Sequence, residues 1–163
     1  MLDSSFLICL STDERIEHQT AKQYFVELIN RQVPMYVSAI AVCEYEVRQR
    51  ISDLGLHNFL FVPFNIDDAI GSAKVFDRMF ASRASGDDRV AVKDDAKLVG
   101  QCVLSGVSHF LTSDTKCADR LSRMRDAGTV AGLPMPVDIR TGYSSHWFNP
   151  GNQHDFIEED LDS

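Results

Sequence analysis

The chain has 163 residues, 44% hydrophobic and 25% charged, which is ordinary for one soluble globular domain. Its formal net charge is −8, but Asp155, Glu158, Glu159, Asp160 and Asp162 crowd the last nine residues, leaving −3 on the body up to His154. That balance does not advertise the broad basic surface usual for a nucleic-acid binder, and no uncharged apolar run approaches the roughly 20 residues that span a bilayer.

Cys9, Cys43, Cys102 and Cys117 are far apart, form no C-x-x-C pair and each sits among apolar neighbours. They read as reduced core residues of a cytoplasmic protein. The N-terminus lacks the basic and then apolar pattern of a secretory leader. The sequence therefore predicts a cytoplasmic protein with no membrane partner.

In chain order, Met1-Leu2 is a stub of apolar chain that meets Asp3, Ser4 and Ser5 at once. Asp3 reads either as a residue at the carboxyl edge of a first strand or as a helix cap. Ser11 to Gln32 reads as one helix with an acidic start at Thr12-Asp13-Glu14 and an apolar stripe of Ile16, Ala21, Tyr24, Phe25, Leu28 and Ile29. Pro34 stops it. Met35-Tyr36-Val37 is a short strand, and Ser38 caps a helix running to about Arg50, with Glu44 within or beside its apolar stripe. A carboxylate there is costly unless it is paired or metal-bound.

Leu54 to Phe61 continues as helix or turn, and Phe59 to Phe64 contains a short strand whose Pro63 suits a sheet edge. Asp67 and Asp68 read as first-turn acids of a helix running to about Ala84, with Ala69, Ala73, Phe76 and Phe80 facing the core. Ser85 to Arg89 is a loop. The stretch Val92 to Lys116 then carries a helix headed by Asp94-Asp95 and ended by Gly106, followed by Val107 to Leu111 as a buried strand delivering Thr112-Ser113-Asp114. Thr115 to Ala127 is a helix with Leu121 and Met124 inward. Its Lys116, Arg120, Arg123 and Arg125 form the most basic local surface. Val137-Asp138-Ile139 is the last strand. The domain is expected over residues 1–148, and residues 149–163 form an acidic tail expected to be mobile.

Strands alternating with helices through short connections predict an α/β domain with a mainly parallel sheet. In such folds functional groups gather beyond the carboxyl ends of the strands. Asp3 and Asp114 each follow a strand-like run, while Glu44 and Asp95 each lie in a helix after a connection, so all four can reach one edge. Their mutual repulsion calls for protonation or a divalent cation. An all-oxygen cluster suits Mg²⁺ or Mn²⁺ better than zinc. The five histidines have no metal-ligand spacing.

Asp3-Ser4-Ser5, Ser38-Ala39-Ile40 leading to Glu44, Asp95 heading its helix and Thr112-Ser113-Asp114 closing a strand together resemble the PIN-domain pattern over residues 1 to about 140. The chain departs from it in having only Met1-Leu2 before Asp3, in carrying Ser5 where the family more often has Asn, and in its adjacent Asp94 and Asp95. Asp95 is chosen because Ala96, Leu98, Val99 and Gly106 then fall on the family's small and apolar helix positions, with Asp94 in reserve as a cap.

The resemblance implies a three-layer α/β/α sandwich and a metal-dependent endoribonuclease. Asp3, Glu44, Asp95 and Asp114 would be both its catalytic residues and its ligands for Mg²⁺ or Mn²⁺. Such an ion makes a bound water nucleophilic near neutral pH. Ser5, Thr112 and Asp119 would orient the acids, and Lys93, Lys97, Lys116 and Arg120 would contact phosphates. The partners expected are RNA, a second copy in a homodimer and an antitoxin, as for VapC-like toxins of type II toxin–antitoxin pairs. A catalytically silent PIN-fold interaction module is the alternative. A phosphoacceptor receiver domain fits less well, since no acid pair follows a first strand.

Overall fold

The protein is described by a computed structural model that covers residues 1–81 and 89–148. The loop expected at Ser85 to Arg89 falls largely outside these residues, as do positions 82–84 of the helix expected to run to about Ala84 and the acidic tail from 149. The architecture is mixed α/β and mostly helical. Strand β1 (Tyr36–Ser38) pairs in parallel with β2 (Leu60–Val62), and β3 (His109–Thr112) pairs in parallel with β4 (Met135–Asp138). Leu2 lies between the two pairs and makes one parallel bridge to Val37 and another to Leu111. Its N–H donates to the Tyr36 carbonyl at 2.8 Å, and the Asp3 N–H donates to the Leu111 carbonyl at 3.0 Å. The stub Met1-Leu2 thus occupies the position of a very short first strand.

The segment after that stub becomes helix α1 (Ser4–Ser11), capped by Asp3 and burying Phe6, Leu7 and Cys9. The single helix expected from Ser11 to Gln32 is therefore corrected. Residues 12–17 form a turn, and α2 (His18–Asn30) begins only afterwards. Ile16, assigned to the apolar stripe, is 94% exposed, whereas Ala21, Tyr24 and Leu28 are buried at helical spacing. The acidic run Thr12-Asp13-Glu14 looks like a helix start but makes the turn between two helices. Helix α2 ends with the Val33 N–H on the Leu28 carbonyl and the Gln32 N–H on the Ile29 carbonyl, which places Gln32 in a left-handed conformation at φ 56°.

Helix α3 (Ala39–Glu46) is capped by the Ser38 hydroxyl and is shorter than expected. Two 3₁₀ turns, Ile51–Asp53 and Leu56–Asn58, carry the chain to β2. Helix α4 (Ile66–Ala81) buries Asp68, Ser72, Val75 and Met79 rather than the expected stripe: Ala69 and Ala73 are exposed, and Phe76 and Phe80 are only partly buried. The reason is its close packing on α5 (Arg89–Leu104). A Cβ on Gly100 would lie 2.6 Å from the Ser72 Cα, so the two backbones touch where a larger side chain would separate them.

Asp68 and Asn65 exchange backbone and side-chain hydrogen bonds in a reciprocal cap. Gln101 Nε2 donates to the Asp68 carboxylate at 3.3 Å and to the Pro63 carbonyl at 2.6 Å. Asp68 is buried for structural reasons.

Gly106, at φ 62°, ends α5 in the same left-handed motif that ends α2. Helix α6 (Thr115–Asp126) buries Cys117, Leu121 and Met124, and Arg120 with them. The last strand starts earlier than expected, at Met135, and Ile139–Thr141 is a 3₁₀ turn. The core runs from Leu2 and Phe6 through Val37, Val99 and Phe110 to Leu121, Val137 and Ile139. All four cysteines are free thiols, but Cys43 is exposed, against the expectation of four core residues. Among the described residues no helix is long and apolar enough to cross a membrane.

Candidate acidic site

Three times the chain passes from extended backbone through a capping side chain straight into a helix: Leu2 to Asp3 to α1, β1 through Ser38 to α3, and β3 to Asp114 to α6. Because the extended segments are parallel neighbours, the three helix starts share the carboxyl edge of the strands. Helix starts carry partial positive charge and free N–H groups, which favour carboxylates.

Asp3, only 8% exposed, is the most heavily tied of the acids. The Ser4 N–H donates to its Oδ1 at 2.8 Å, and the hydroxyls of Ser5 and Thr112 donate to its Oδ2 at 2.6 and 2.8 Å. Each hydroxyl also accepts a backbone N–H: Ser5 from Ser113 at 2.9 Å, Thr112 from Asp114 at 2.9 Å. Both hydroxyl protons are therefore committed to Asp3, and the Ser5–Thr112 contact at 3.0 Å has no proton of its own. One carboxylate thereby fixes the turn that carries Asp114. Ser5 and Thr112 are thus both hydrogen-bonded to Asp3.

Ser4, to which no role was given, donates to Glu44 Oε2 at 2.5 Å and so ties α1 to α3. Asp114 caps α6 by accepting the Cys117 N–H at 3.1 Å. Asp95, in α5, receives the Arg120 guanidinium on Oδ2 at 2.6 Å.

The charges of these groups are linked. Burial raises the Asp3 pKa, with a smaller contribution from Asp114, while its three donors oppose the shift. Burial raises Glu44, helped by Asp3 and Asp94 and opposed by Ser4 and Lys97. Asp95 is pushed up to about 7, first by burial and then by Asp3 and Asp114, against Arg120. The Cys117 thiol lies well above its ordinary value, from burial and then from Asp95, Asp3 and Asp114. It is a protonated core thiol that senses the same three carboxylates.

Asp94 differs from its neighbour. It pairs with Lys97 at 2.7 Å, both more than a third exposed, and acts on Glu44 rather than on Asp3. Of the adjacent pair, Asp95 faces Asp3 and Asp114.

Several anticipated roles need correction. Arg120 is 2% exposed and bound to Asp95, so it belongs to the interior and not to a basic surface. The signal was available: Arg120 lies three residues after Cys117 and four before Met124, on the apolar stripe of α6. Asp119, expected to orient the acids, is exposed. Lys93 and Lys116 are exposed, as a phosphate contact requires, and Lys97 is engaged by Asp94. Asp138, not singled out beforehand, lies beside Thr112 in the β3–β4 register and caps the following turn.

The donor chemistry of the four acids fits a hard divalent cation, being all oxygen and negatively charged. Their placement does not, because among the described residues no group of three or more His, Cys, Asp or Glu side chains is gathered closely enough to hold a metal ion. A cavity of about 580 Å³ lies at the opposite end of the strands, where Tyr36 begins β1 and His109 begins β3. Its walls include Tyr24, Trp147 and Phe148, so it offers aromatic surface rather than a cluster of acids. No protein-family model matches this chain, and no curated protein is significantly similar to it in sequence.

Proposed function

We propose that this protein is a metal-dependent endoribonuclease of PIN type, using Asp3, Glu44, Asp95 and Asp114 with Mg²⁺ or Mn²⁺ to hydrolyse RNA phosphodiester bonds. In this reading the two parallel pairs, joined through Leu2, form the central sheet of a three-layer α/β/α sandwich. The observation that carries the proposal is the charge coupling of Asp95. Its carboxyl is pushed up to about 7, first by burial and then by Asp3 and Asp114 from distant parts of the sequence, against the opposing pull of Arg120. Crowding acids in this way opposes folding, and perturbed groups of this kind gather at functional sites.

A bound divalent cation would supply a nucleophilic water and stabilise charge on phosphate. The chain's own contribution is positional. Ser5 and Thr112 hold Asp3, Ser4 holds Glu44, and the exposed Lys93 and Lys116 offer phosphate contacts.

The test is cleavage of single-stranded or structured RNA by the purified protein in Mg²⁺ or Mn²⁺. Activity should vanish with EDTA and in Asp95→Asn and Asp114→Asn. Cleavage unchanged in both variants would remove this site from consideration. A toxin role adds an antitoxin partner and a homodimer, tested by co-purification with the product of the adjacent reading frame and by sedimentation. A second reading is favoured by one observation: every one of the four acids already has a partner within the chain. That suits a catalytically silent interaction module, for which Mn²⁺ titration should show no binding at this edge.

A further inference from the structure

The mismatch between the donor chemistry of the acids and their placement has a local cause. Asp3, Glu44 and Asp114 are held by donors from their own or an adjacent segment. Asp95 lies within a helix, where the backbone N–H groups are already used by the ladder, and among the described residues its side-chain donor comes from a different helix. Its partner is a full cation from another helix, the Arg120 guanidinium at 2.6 Å. Arg120 is 2% exposed and Asp95 18% exposed at the side chain, so the guanidinium is buried and the carboxylate is partly so.

We propose that Arg120 is the built-in counter-ion of the acidic site. Its guanidinium occupies the position of a cation on Asp95, and a divalent cation takes up Asp95 only when Arg120 releases it. The inference rests on the reading of these acids as a metal site. Two physical points support it. A guanidinium is permanently charged and weakly hydrated, which makes it the side chain best suited to neutralise a buried carboxylate. A divalent ion placed beside it would face both its repulsion and the loss of Asp95 as a ligand, so the two cations exclude one another. Arg120 is thus a positioning residue that sets metal affinity, not a group that touches phosphate.

The experiment is calorimetric titration of Mn²⁺ into the full chain and into Arg120→Met, which keeps a long apolar stem without charge. The variant should bind Mn²⁺ at least about tenfold more tightly. A defect of folding alone would weaken binding, so a gain separates this role from a structural one. If the unmodified protein binds Mn²⁺ and Arg120→Met binds it equally or less well, the counter-ion role is overturned and the metal site stands. Binding by the variant alone supports the counter-ion role and overturns nuclease chemistry in the unmodified protein. Binding by neither overturns both.

Should Arg120→Met fail to fold, the unmodified protein decides the matter. Rotation about the Arg120 Cζ–Nη bonds, followed by NMR, is slow in a fixed ion pair and should speed up as Mg²⁺ is added. Rotation that stays slow at saturating Mg²⁺ overturns the proposal.

Discussion

Thr112→Val tests the hydrogen-bond network around Asp3 most directly. Valine keeps the β-branched shape in a position with no exposed surface and removes only the hydroxyl. Two hydrogen bonds are lost: the donation to Asp3 Oδ2 at 2.8 Å and the acceptance of the Asp114 N–H at 2.9 Å. A hydrogen bond to a charged group is worth about 1.5–3 kcal/mol, and an orphaned N–H costs about 1–3 kcal/mol when buried. Asp3 retains Ser5 and Ser4 as donors, and the Asp114 N–H is only partly buried, so the combined loss should be about 3 kcal/mol. With a urea slope of about 2 kcal/mol/M, the unfolding midpoint should fall by about 1.5 M. Thr112→Ser keeps the hydroxyl and should lose only about 1 kcal/mol for the missing methyl. Equilibrium urea unfolding of both variants at pH 7 is the assay. If valine and serine agree within about 0.5 kcal/mol, the hydroxyl does not bridge Asp3 to the Asp114 backbone as argued.

The pH dependence of stability should carry the signature of Asp95. Its folded pKa of about 7 lies above the ordinary 3.8, so the folded state holds a proton that the unfolded chain gives up. The resulting stability is fully present below about pH 4 and is lost as pH rises through about 7, by up to roughly 4 kcal/mol at 1.36 kcal/mol per unit. Asp95→Asn should flatten that decline between pH 5 and 8, and an unaltered slope in urea titrations would contradict the assignment. Gly100→Ala should destabilise by about 1–3 kcal/mol despite alanine's better helix propensity, because its Cβ would sit 2.5 Å from Ser72 Oγ and 2.6 Å from the Ser72 Cα. Thermal unfolding measures this loss, and a neutral result would mean that α4 and α5 are further apart. Gln32→Gly should instead stabilise by about 1 kcal/mol, since glycine adopts φ 56° without the Cβ penalty. A lower melting temperature would show that the glutamine side chain is needed there.

What could be read from the sequence was local. A strand followed by a capping side chain and a helix leaves its signature within a few residues. So Ser38 and Asp114 stand where the pattern put them, at the carboxyl edge of parallel strands. The same locality misled at the first helix, where an acidic cap signal at Thr12 marked a turn between α1 and α2. It misled again in α4, where Ala69 and Ala73 competed with Asp68 and Ser72 for the buried face. Alanine is nearly neutral about its surroundings, and the two polar residues look exposed until Lys97 and Gln101 are known to satisfy them. Those partners lie 25 and 33 residues further along the chain. Arg120 stands on the apolar stripe of α6, so its burial was legible; what the sequence hid was its partner Asp95, 25 residues away on another helix.

The adjacent acids Asp94 and Asp95 show how much the environment of a carboxylate decides. They are one residue apart, so about 100° around α5 separates them. Asp94 makes an i,i+3 pair with Lys97, and both side chains are more than a third exposed. Such pairs contribute about 0–1 kcal/mol and are screened by salt. Asp95 is turned inward to Arg120, Asp3 and Asp114, where charge is costly and its partner is itself buried. Alanine at 94 should therefore change stability by less than about 1 kcal/mol, whereas alanine at 95 removes the carboxylate that pairs with a buried guanidinium and should cost up to about 3–5 kcal/mol. Raising salt should shrink the first effect and leave the second nearly intact, because ions screen exposed pairs far more than buried ones. Measuring both variants in low and high salt separates the two environments. Equal losses with equal salt dependence would mean that Asp95 is not the inward-facing member of the pair.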